Sequence, residues 1–160
     1  MTVSSKDIGT GGFPVVAVGC AVVDQDKILL VKHVPQKTGF WSGKWICPGG
    51  RLQFGETLEQ ATKREVLEET ELEIEIKEDP IIFDRIVKDD RGETSLHIVY
   101  IDFLATPKGK ALVHPGSDVG EVYWFPYGEI PWEELHEDTV LLLERILGLS
   151  PNSNTSSSRE

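Results

Sequence analysis

Three glutamates on one predicted helix have the residue type and the spacing of a metal-binding site. Glu65, Glu68 and Glu69 occur within five consecutive residues. At about 100° per residue around a helix, they fall within one arc roughly 100° wide. The apolar residues on the same side are Leu58, Ala61 and Leu72. Several carboxylates beside an apolar face are unfavourable unless something neutralises them, and Arg64 is their only cationic neighbour there.

The ordinary alternative for a Glu-rich helix is a solvated acidic face. That alternative predicts glutamates opposite the leucines, with Lys or Arg partners four residues further on. Here the opposite side contains a single apolar residue and consists of Glu59, Gln60, Lys63, Leu67, Thr70 and Glu71. A calcium-buffering helix is a further alternative, but the segment lacks the loop ligands of calcium motifs. Three oxygen donors in this arrangement suit Mg²⁺, with Mn²⁺ as a substitute.

The element that positions these carboxylates has clear boundaries in the sequence. Thr57 and Gln60 form a capping-box pattern, which predicts a helix that begins just after Thr57 and ends near Thr70. Gly49 and Gly50 lie just upstream. Glycine allows a backbone to approach a ligand closely, and a carbonyl at this point could complete a metal shell. Taken alone, the Pro-Gly-Gly sequence is more typical of a plain turn.

The remaining elements predict a mixed α/β fold. Strands and short extended pieces are expected at about 15–23, 27–34, 45–47, 51–53, 73–87 (broken near Pro80), 95–105 and 121–125. A final helix is expected at about 137–147, where Val140, Leu141, Leu143, Ile146 and Leu147 follow a helical period. Strands and helices do not alternate regularly, so we expect a central mixed sheet with helices on both faces.

Composition limits the classes of partner. The chain has 160 residues, which fits one ordinary domain, and a formal net charge of −11. This charge argues against a nucleic-acid polymer as partner, because such a surface needs Lys and Arg. An anionic small molecule could still bind if carboxylates held a divalent cation that reverses the local field.

The ends of the chain differ in composition from its centre. We expect a flexible arm at 1–12, one domain at 13–149 and a disordered tail at 150–160. The apolar run Phe13–Val23 is too short to span a bilayer and lacks the basic start of a secretory leader. Cys20 and Cys47 are too few for a disulfide framework and are read as packing residues. These features favour a cytoplasmic protein with no membrane partner.

The segment Gly50–Leu72 resembles the signature of the Nudix hydrolases, G-x5-E-x7-R-E-U-x-E-E-x-G-U, where U is a bulky apolar residue. Gly50 is followed by Glu56, and the run from Arg64 to Leu72 supplies the remainder. One position departs, because Glu71 stands where the family has the glycine that ends the helix. The resemblance implies a Nudix-type α/β/α sandwich.

The resemblance also implies roles for individual residues. Glu65, Glu68 and Glu69 would be metal ligands, together with a carbonyl of Gly49 or Gly50. Arg64 and Glu56 would pair with each other or with the carboxylates and so orient them. Glu65 is the first choice for the general base. Glu121, in a segment that resembles the family's later acidic region, is the alternative base or a further ligand.

Substrate contacts are suggested by charge and aromaticity alone. Lys44 and Arg51 flank the glycines and could touch phosphate oxygens. The aromatic residues that could stack on a base are Phe40, Trp41, Trp45, Phe54 and Trp124. The four histidines, His33, His97, His114 and His136, have no metal-binding spacing and are not expected to be catalytic. Of these, His33 or His97 could face a base.

The resemblance implies Mg²⁺-dependent hydrolysis of a nucleotide phosphoanhydride. The leading expectation is a MutT-like enzyme that converts a nucleoside triphosphate to a monophosphate and pyrophosphate. An ADP-ribose or nucleotide-sugar diphosphatase is the alternative, although Val87–Asp90 lacks the Pro and Tyr markers of some such branches. A non-catalytic nucleotide-sensing module would normally have lost box carboxylates. A homodimer is an open alternative, because exposed Trp residues could form an interface.

Overall fold

One mixed sheet forms the centre of the molecule. The computed structural model describes residues 12–34 and 43–151. Its strands are β1 (Val15–Asp24), β2 (Lys27–His33), β3 (Trp45–Ile46), β4 (Gly49–Arg51), β5 (Ile74–Ile76), β6 (Ile81–Lys88), β7 (Thr94–Pro107) and β8 (Val119–Pro126). Its α-helices are α1 (Leu58–Thr70) and α2 (Glu137–Leu147), with short 3-10 turns at Tyr127–Glu129 and Trp132–Glu134.

Strand β1 lies at the middle of this eight-stranded sheet. It pairs in parallel with β7 over eight residues and antiparallel with β2 and β4. Strands β3 and β8 pair antiparallel with β2, and β5 and β6 pair antiparallel with β7. The expectation of a mixed sheet is therefore confirmed.

Helix α1 covers one face of the sheet. Its Val66 packs with Cys20 and Leu29, since alternate side chains of each strand point to this face. The predicted exposure of Thr70 is wrong. The sequence pattern placed this residue on the solvent side, and the structure buries it completely. The buried arc is centred nearer Val66 than the positions of the leucines indicated.

Helix α2 covers the opposite face and completes the α/β/α arrangement. Leu142 and Leu143 pack with residues of β1, β2 and β3. The helix begins at a polar contact with the sheet. Asp138 accepts hydrogen bonds from the Tyr100 hydroxyl at 2.7 Å and from Arg85 Nε at 2.6 Å. Two hydrogen bonds and an opposite charge offset the cost of burying this carboxylate.

Most element boundaries agree closely with those predicted, with one correction near the glycines. The short extended piece expected at 51–53 is a strand at Gly49–Arg51, paired with β1. The Pro-Gly-Gly segment is therefore not a plain turn, because both glycines belong to the sheet.

Two further expectations concern the environment of the chain. Cys20 and Cys47 are buried and unbonded to each other, as expected for packing residues. Within residues 12–34 and 43–151, no helix has the length and apolar character needed to cross a membrane. The arm at 1–12 and the tail at 150–160 lie mainly outside the described residues and stay predictions.

Candidate functional site

Both ends of α1 are defined by local interactions. Thr57 and Gln60 form the reciprocal capping box, with hydrogen bonds of 3.1 Å and 2.9 Å between side chain and backbone. The C-cap is Glu71, whose φ of 59° and ψ of 19° are left-handed. The chain therefore keeps the exit geometry that glycine normally provides, with a glutamate in its place.

Arg64 links the carboxylates along one side of α1. Its Nε donates to Glu56 at 2.6 Å, and its Nη1 donates to Glu65 at 2.8 Å and to Glu68 at 3.3 Å. Its Nη2 donates to the backbone carbonyl of Arg51 at 3.1 Å, which ties the helix to β4. These hydrogen bonds raise the pKa of Arg64, so its charge is permanent. The hydrogen bond from Arg64 also lowers the pKa of Glu56.

Glu69 is the most buried of the three box glutamates. One oxygen accepts a hydrogen bond from the Gly49 N–H at 3.3 Å. The other oxygen, Oε2, is buried and has no hydrogen-bond partner among the described residues. His33 Nε2 lies 3.8 Å from it, beyond hydrogen-bond range. Burial, followed by the charge of Glu65, raises the pKa of Glu69 well above its usual range.

Glu65 is enclosed by the backbone of β4. A Cβ on Gly50 would meet the Glu65 carboxylate at 2.5 to 2.6 Å, so this position admits only glycine as long as Glu65 stays in place. Burial raises the pKa of Glu65, and Arg64 acts in the opposite direction. Glu68, one turn further on, has a side chain that is 58% exposed and accepts a hydrogen bond from Arg64 at 3.3 Å.

The donor set fits a hard divalent cation. The donors are an orphaned buried oxygen on Glu69, the partly buried carboxylate of Glu65 and the exposed carboxylate of Glu68, which are of the kind that Mg²⁺ prefers. In the part of the chain that the structure describes, no three such side chains yet converge on one point. The carboxylates of Glu65 and Glu68 instead both contact the guanidinium of Arg64.

Gly49 is also required by close packing of the sheet. A Cβ on Gly49 would lie 2.3 Å from the carbonyl oxygen of Val18 and 2.8 Å from Cα of Gly19. The two glycines of the box therefore serve different purposes. Gly49 lets β4 approach β1, and Gly50 leaves room for Glu65.

Glu121 lies on the other side of the sheet from α1. It is the ladder partner of Lys32, whose Nζ lies 3.9 Å from Glu121 Oε2 and also lies over the ring of Trp45. Trp45 packs in the cluster beneath α2. The role of Glu121 as general base or ligand stays a prediction.

An open cleft of about 470 Å³ runs beside Glu121. Its aromatic lining consists of Trp45, Tyr123 and Phe125, and Pro115 contributes from the preceding loop. Trp45 is 7% exposed, so little of its ring is accessible to a ligand. Tyr123, at 55% exposed, is the accessible aromatic surface, and the sequence did not indicate it.

The other predicted substrate contacts are dispersed. Phe54 is fully exposed and Lys44 is exposed. Arg51 lies in β4 with a buried Nη1 that has no hydrogen-bond partner among the described residues. Trp124 is held in place by donating from Nε1 to the carbonyl of Ala111 at 3.0 Å. Phe40 and Trp41 lie outside the described residues.

His33, His97 and His136 have side-chain partners among the described residues, and the expectation that no histidine is catalytic stays a prediction. His97 contacts Asp84 at 2.9 Å, and the side chain of His136 caps α2 by accepting from the Asp138 N–H. That His33 or His97 could face a base stays a prediction. The structure places His33 beside Glu69, an approach between distant segments that no local pattern could indicate.

Comparison with known proteins agrees with this geometry. A sequence profile of the NUDIX domain matches residues 13–145. An oxidized purine nucleoside triphosphate hydrolase of Danio rerio is 36% identical over 122 residues, which cover 75% of this chain and 71% of the relative. An ADP-ribose pyrophosphatase of Methanocaldococcus jannaschii is 33% identical over 118 residues, covering 74% of this chain and 65% of the relative.

A solved structure shows the same architecture. The crystal structure of a MutT NUDIX hydrolase from Burkholderia pseudomallei superposes with a TM-score of 0.67 at 27% identity, and the match covers 84% of this chain and 98% of the other. The chain therefore belongs to the NUDIX family of hydrolases, which cleave phosphoanhydride bonds and generally use divalent metal ions.

Proposed function

We propose that the protein hydrolyses nucleoside triphosphates to monophosphates and pyrophosphate in a Mg²⁺-dependent reaction. The observation that carries the proposal is the buried, unpartnered Oε2 of Glu69, which lies on the same helix as Glu65 and Glu68. A buried carboxylate oxygen without a partner is costly, and a divalent cation removes that cost. Mn²⁺ is the expected substitute.

Glu65, Glu68 and Glu69 would hold the cation, with a backbone carbonyl of Gly49 or Gly50. When bound, the cation neutralises phosphate charge and lowers the pKa of water at the site. Glu65 takes a proton from the attacking water. The water oxygen bonds to phosphorus, the bridging phosphoanhydride bond breaks, and pyrophosphate leaves. Glu121 is the alternative base, but it lies on the other side of the sheet from α1, which favours Glu65 for this role.

Arg64 and Glu56 are assigned to positioning. Arg64 contacts Glu56, Glu65 and Glu68 and is anchored on β4, so it holds the helix and the strand in register. Such support outside the ligand shell commonly changes metal affinity by 10- to 100-fold.

The preference for triphosphates is supported by the 36% identical relative from Danio rerio, which is named for oxidized purine nucleoside triphosphates. Lys44 and Arg51 would contact phosphate oxygens, and aromatic residues among Phe40, Trp45 and Phe54 would contact the base. A second candidate is ADP-ribose or a nucleotide sugar, which the 33% identical archaeal relative favours. The box carboxylates are all present, which disfavours a non-catalytic sensor.

The cellular setting is also part of the proposal. Two buried cysteines without a disulfide fit the reducing cytoplasm. A net charge of −11 disfavours a nucleic-acid polymer as substrate or partner. A homodimer is compatible with the exposed aromatic and aliphatic side chains.

A substrate screen tests the proposal directly. Canonical and oxidised nucleoside triphosphates are compared with ADP-ribose and UDP-sugars, and pyrophosphate and monophosphate are measured separately. We expect a triphosphate to give the highest kcat/KM, with pyrophosphate as product, and no turnover in EDTA. Equal turnover of all classes would contradict the preference for triphosphates, and turnover in EDTA would contradict the role of the cation.

A further inference from the structure

The loop between β7 and β8 covers the C-terminal turn of α1, which carries Glu68 and Glu69. The last carbonyls of a helix have no partner within the helix. The Gly116 N–H donates to the Glu69 carbonyl at 3.0 Å, and the His114 N–H donates to the Thr70 carbonyl at 3.0 Å. This loop therefore caps the helix through its backbone.

Gly116 approaches α1 so closely that no side chain fits. A Cβ at this position would lie 1.9 Å from the carbonyl oxygen of Glu68 and 3.3 Å from Cα of Glu69. The obstructing atoms belong to the backbone, so they cannot rotate aside as a flexible side chain could. The φ of Gly116 is not in the left-handed region, so the need for glycine here is steric.

The side chain of His33, on β2, lies between this loop and the Glu69 carboxylate. His33 Nδ1 lies 3.1 Å from the backbone carbonyl oxygen of Asp118, and His33 Nε2 lies 3.8 Å from Glu69 Oε2. At the other end of the loop, Trp124 Nε1 donates to the Ala111 carbonyl at 3.0 Å. The loop is thus fixed to the sheet on both sides of its contact with the helix.

We propose that residues 108–118 form a clamp that sets the position of Glu68 and Glu69, with Gly116 as the positioning residue at its centre. The inference rests on the proposed function, because the clamp affects hydrolysis only if these carboxylates hold the cation. A displacement of about 1 Å in a catalytic group can cost about 100-fold in rate. Separating an added Cβ from the Glu68 carbonyl demands a shift of that size, since 1.9 Å is far below the 3.0 Å limit for Cβ contacts.

Gly116→Ala tests the clamp, with Gly128→Ala as the matched control. A Cβ on Gly128 meets nothing within 4 Å, and its φ is also outside the left-handed region. For Gly116→Ala we expect the dissociation constant for Mn²⁺, measured by electron paramagnetic resonance, to rise about 10-fold or more. We expect kcat to fall by a similar factor while KM is nearly unchanged, and Gly128→Ala to match the wild type in all three.

Two results would overturn the clamp. One is wild-type Mn²⁺ affinity and kcat in folded Gly116→Ala, and the other is an equal loss in Gly128→Ala. If Gly116→Ala does not fold, His33 supplies the test. We expect His33→Leu to weaken Mn²⁺ binding and His33→Gln, whose amide can still donate to the Asp118 carbonyl, to restore it. Wild-type binding in His33→Leu would then refute the clamp.

Hydrogen exchange separates failure of the clamp from failure of the proposed function. A wild-type protein that binds no Mn²⁺ would refute the cation site, and the clamp is then judged on metal-free protein. We expect the backbone amides of residues 69–72 to exchange faster in Gly116→Ala than in the wild type or in Gly128→Ala. Equal exchange rates in all three proteins would refute the clamp, whatever the activity.

Discussion

At the scale of single residues, the site combines permanent and adjustable charge. Arg64 keeps its proton and contacts Glu56, Glu65 and Glu68, so part of the negative charge is always neutralised. Glu69 has no such partner, and burial raises its pKa. The carboxylate that most needs a cation is therefore the one deepest in the fold.

Glu68→Gln tests the ligand assignment with little effect on folding. Glu68 is more than half exposed, so its replacement does not disturb the core. We expect kcat to fall at least ~100-fold because a metal ligand is lost. The control is Glu59→Gln, an exposed residue in the first turn of the same helix, for which we expect wild-type rates. Wild-type turnover of Glu68→Gln under saturating Mg²⁺ would contradict the assignment.

Glu71→Gly tests the strained end of α1. Glu71 adopts φ 59°, which is unfavourable for a residue with a Cβ and accessible to glycine. We expect the free energy of unfolding, measured in urea, to increase by about 1 kcal/mol. Glu73→Gly, at an exposed position with ordinary φ, is the control and should lower stability. A stability loss in Glu71→Gly would mean that the glutamate side chain makes a compensating contact.

At the scale of elements, α1 bears the box glutamates, and separate contacts define its start, its end and its orientation. The capping box specifies the start, the left-handed Glu71 the end, and the contact of Arg64 with β4 the orientation. The loop around Gly116, distant from α1 in sequence, adds hydrogen bonds to the last turn of the helix. Precise placement of the carboxylates follows from these independent contacts.

Thr57→Ala tests the first turn of α1. The substitution removes the hydroxyl that accepts from the Gln60 N–H, and loss of such a cap costs about 1 kcal/mol. We expect a matching drop in the free energy of unfolding measured in urea. Thr57→Ser keeps the hydroxyl and should retain most of the wild-type stability. If Thr57→Ala were as stable as the wild type, the capping box would not contribute to the folded state.

Local patterns predicted α1 well because both of its ends are local. Thr57 and Gln60 indicate the first turn, and the observed helix ends at Thr70 as predicted. The strand at Gly49–Arg51 was misplaced by two residues, since three residues without alternation carry no period. The approach of Gly116 to Glu68 joins segments that are distant in sequence, so only the fold reveals it.

At the scale of the whole molecule, the two faces of the sheet hold different charged groups. The box glutamates belong to α1 on one face, and on the other face Asp102 of β7 and Asp138 of α2 are both buried. Burial, followed by the charge of Asp138, raises the pKa of Asp102 from 3.8 to about 7. The acidity of the chain therefore extends into its interior.

This pKa predicts how stability depends on pH. The unfolded chain releases the Asp102 proton at a lower pH than the folded protein, so the folded state binds more protons between about pH 4 and 7. Stability should therefore fall as pH rises through this window and level off above it. We expect the Tm of Asp102→Asn, measured in EDTA, to rise relative to that of the wild type between pH 5 and pH 8.

Exposed Asp79→Asn is the control for this series and should show no such trend. A constant difference in Tm between Asp102→Asn and the wild type at the two pH values would mean that Asp102 titrates normally.

Crystals soaked with Mn²⁺ and a non-hydrolysable nucleotide provide the most direct measurement of the central claim. Anomalous scattering should locate an ion in contact with carboxylate oxygens of Glu65, Glu68 and Glu69, with the Glu69 Oε2 oxygen among its ligands. An ion bound elsewhere, with these three side chains directed away from it, would contradict the account.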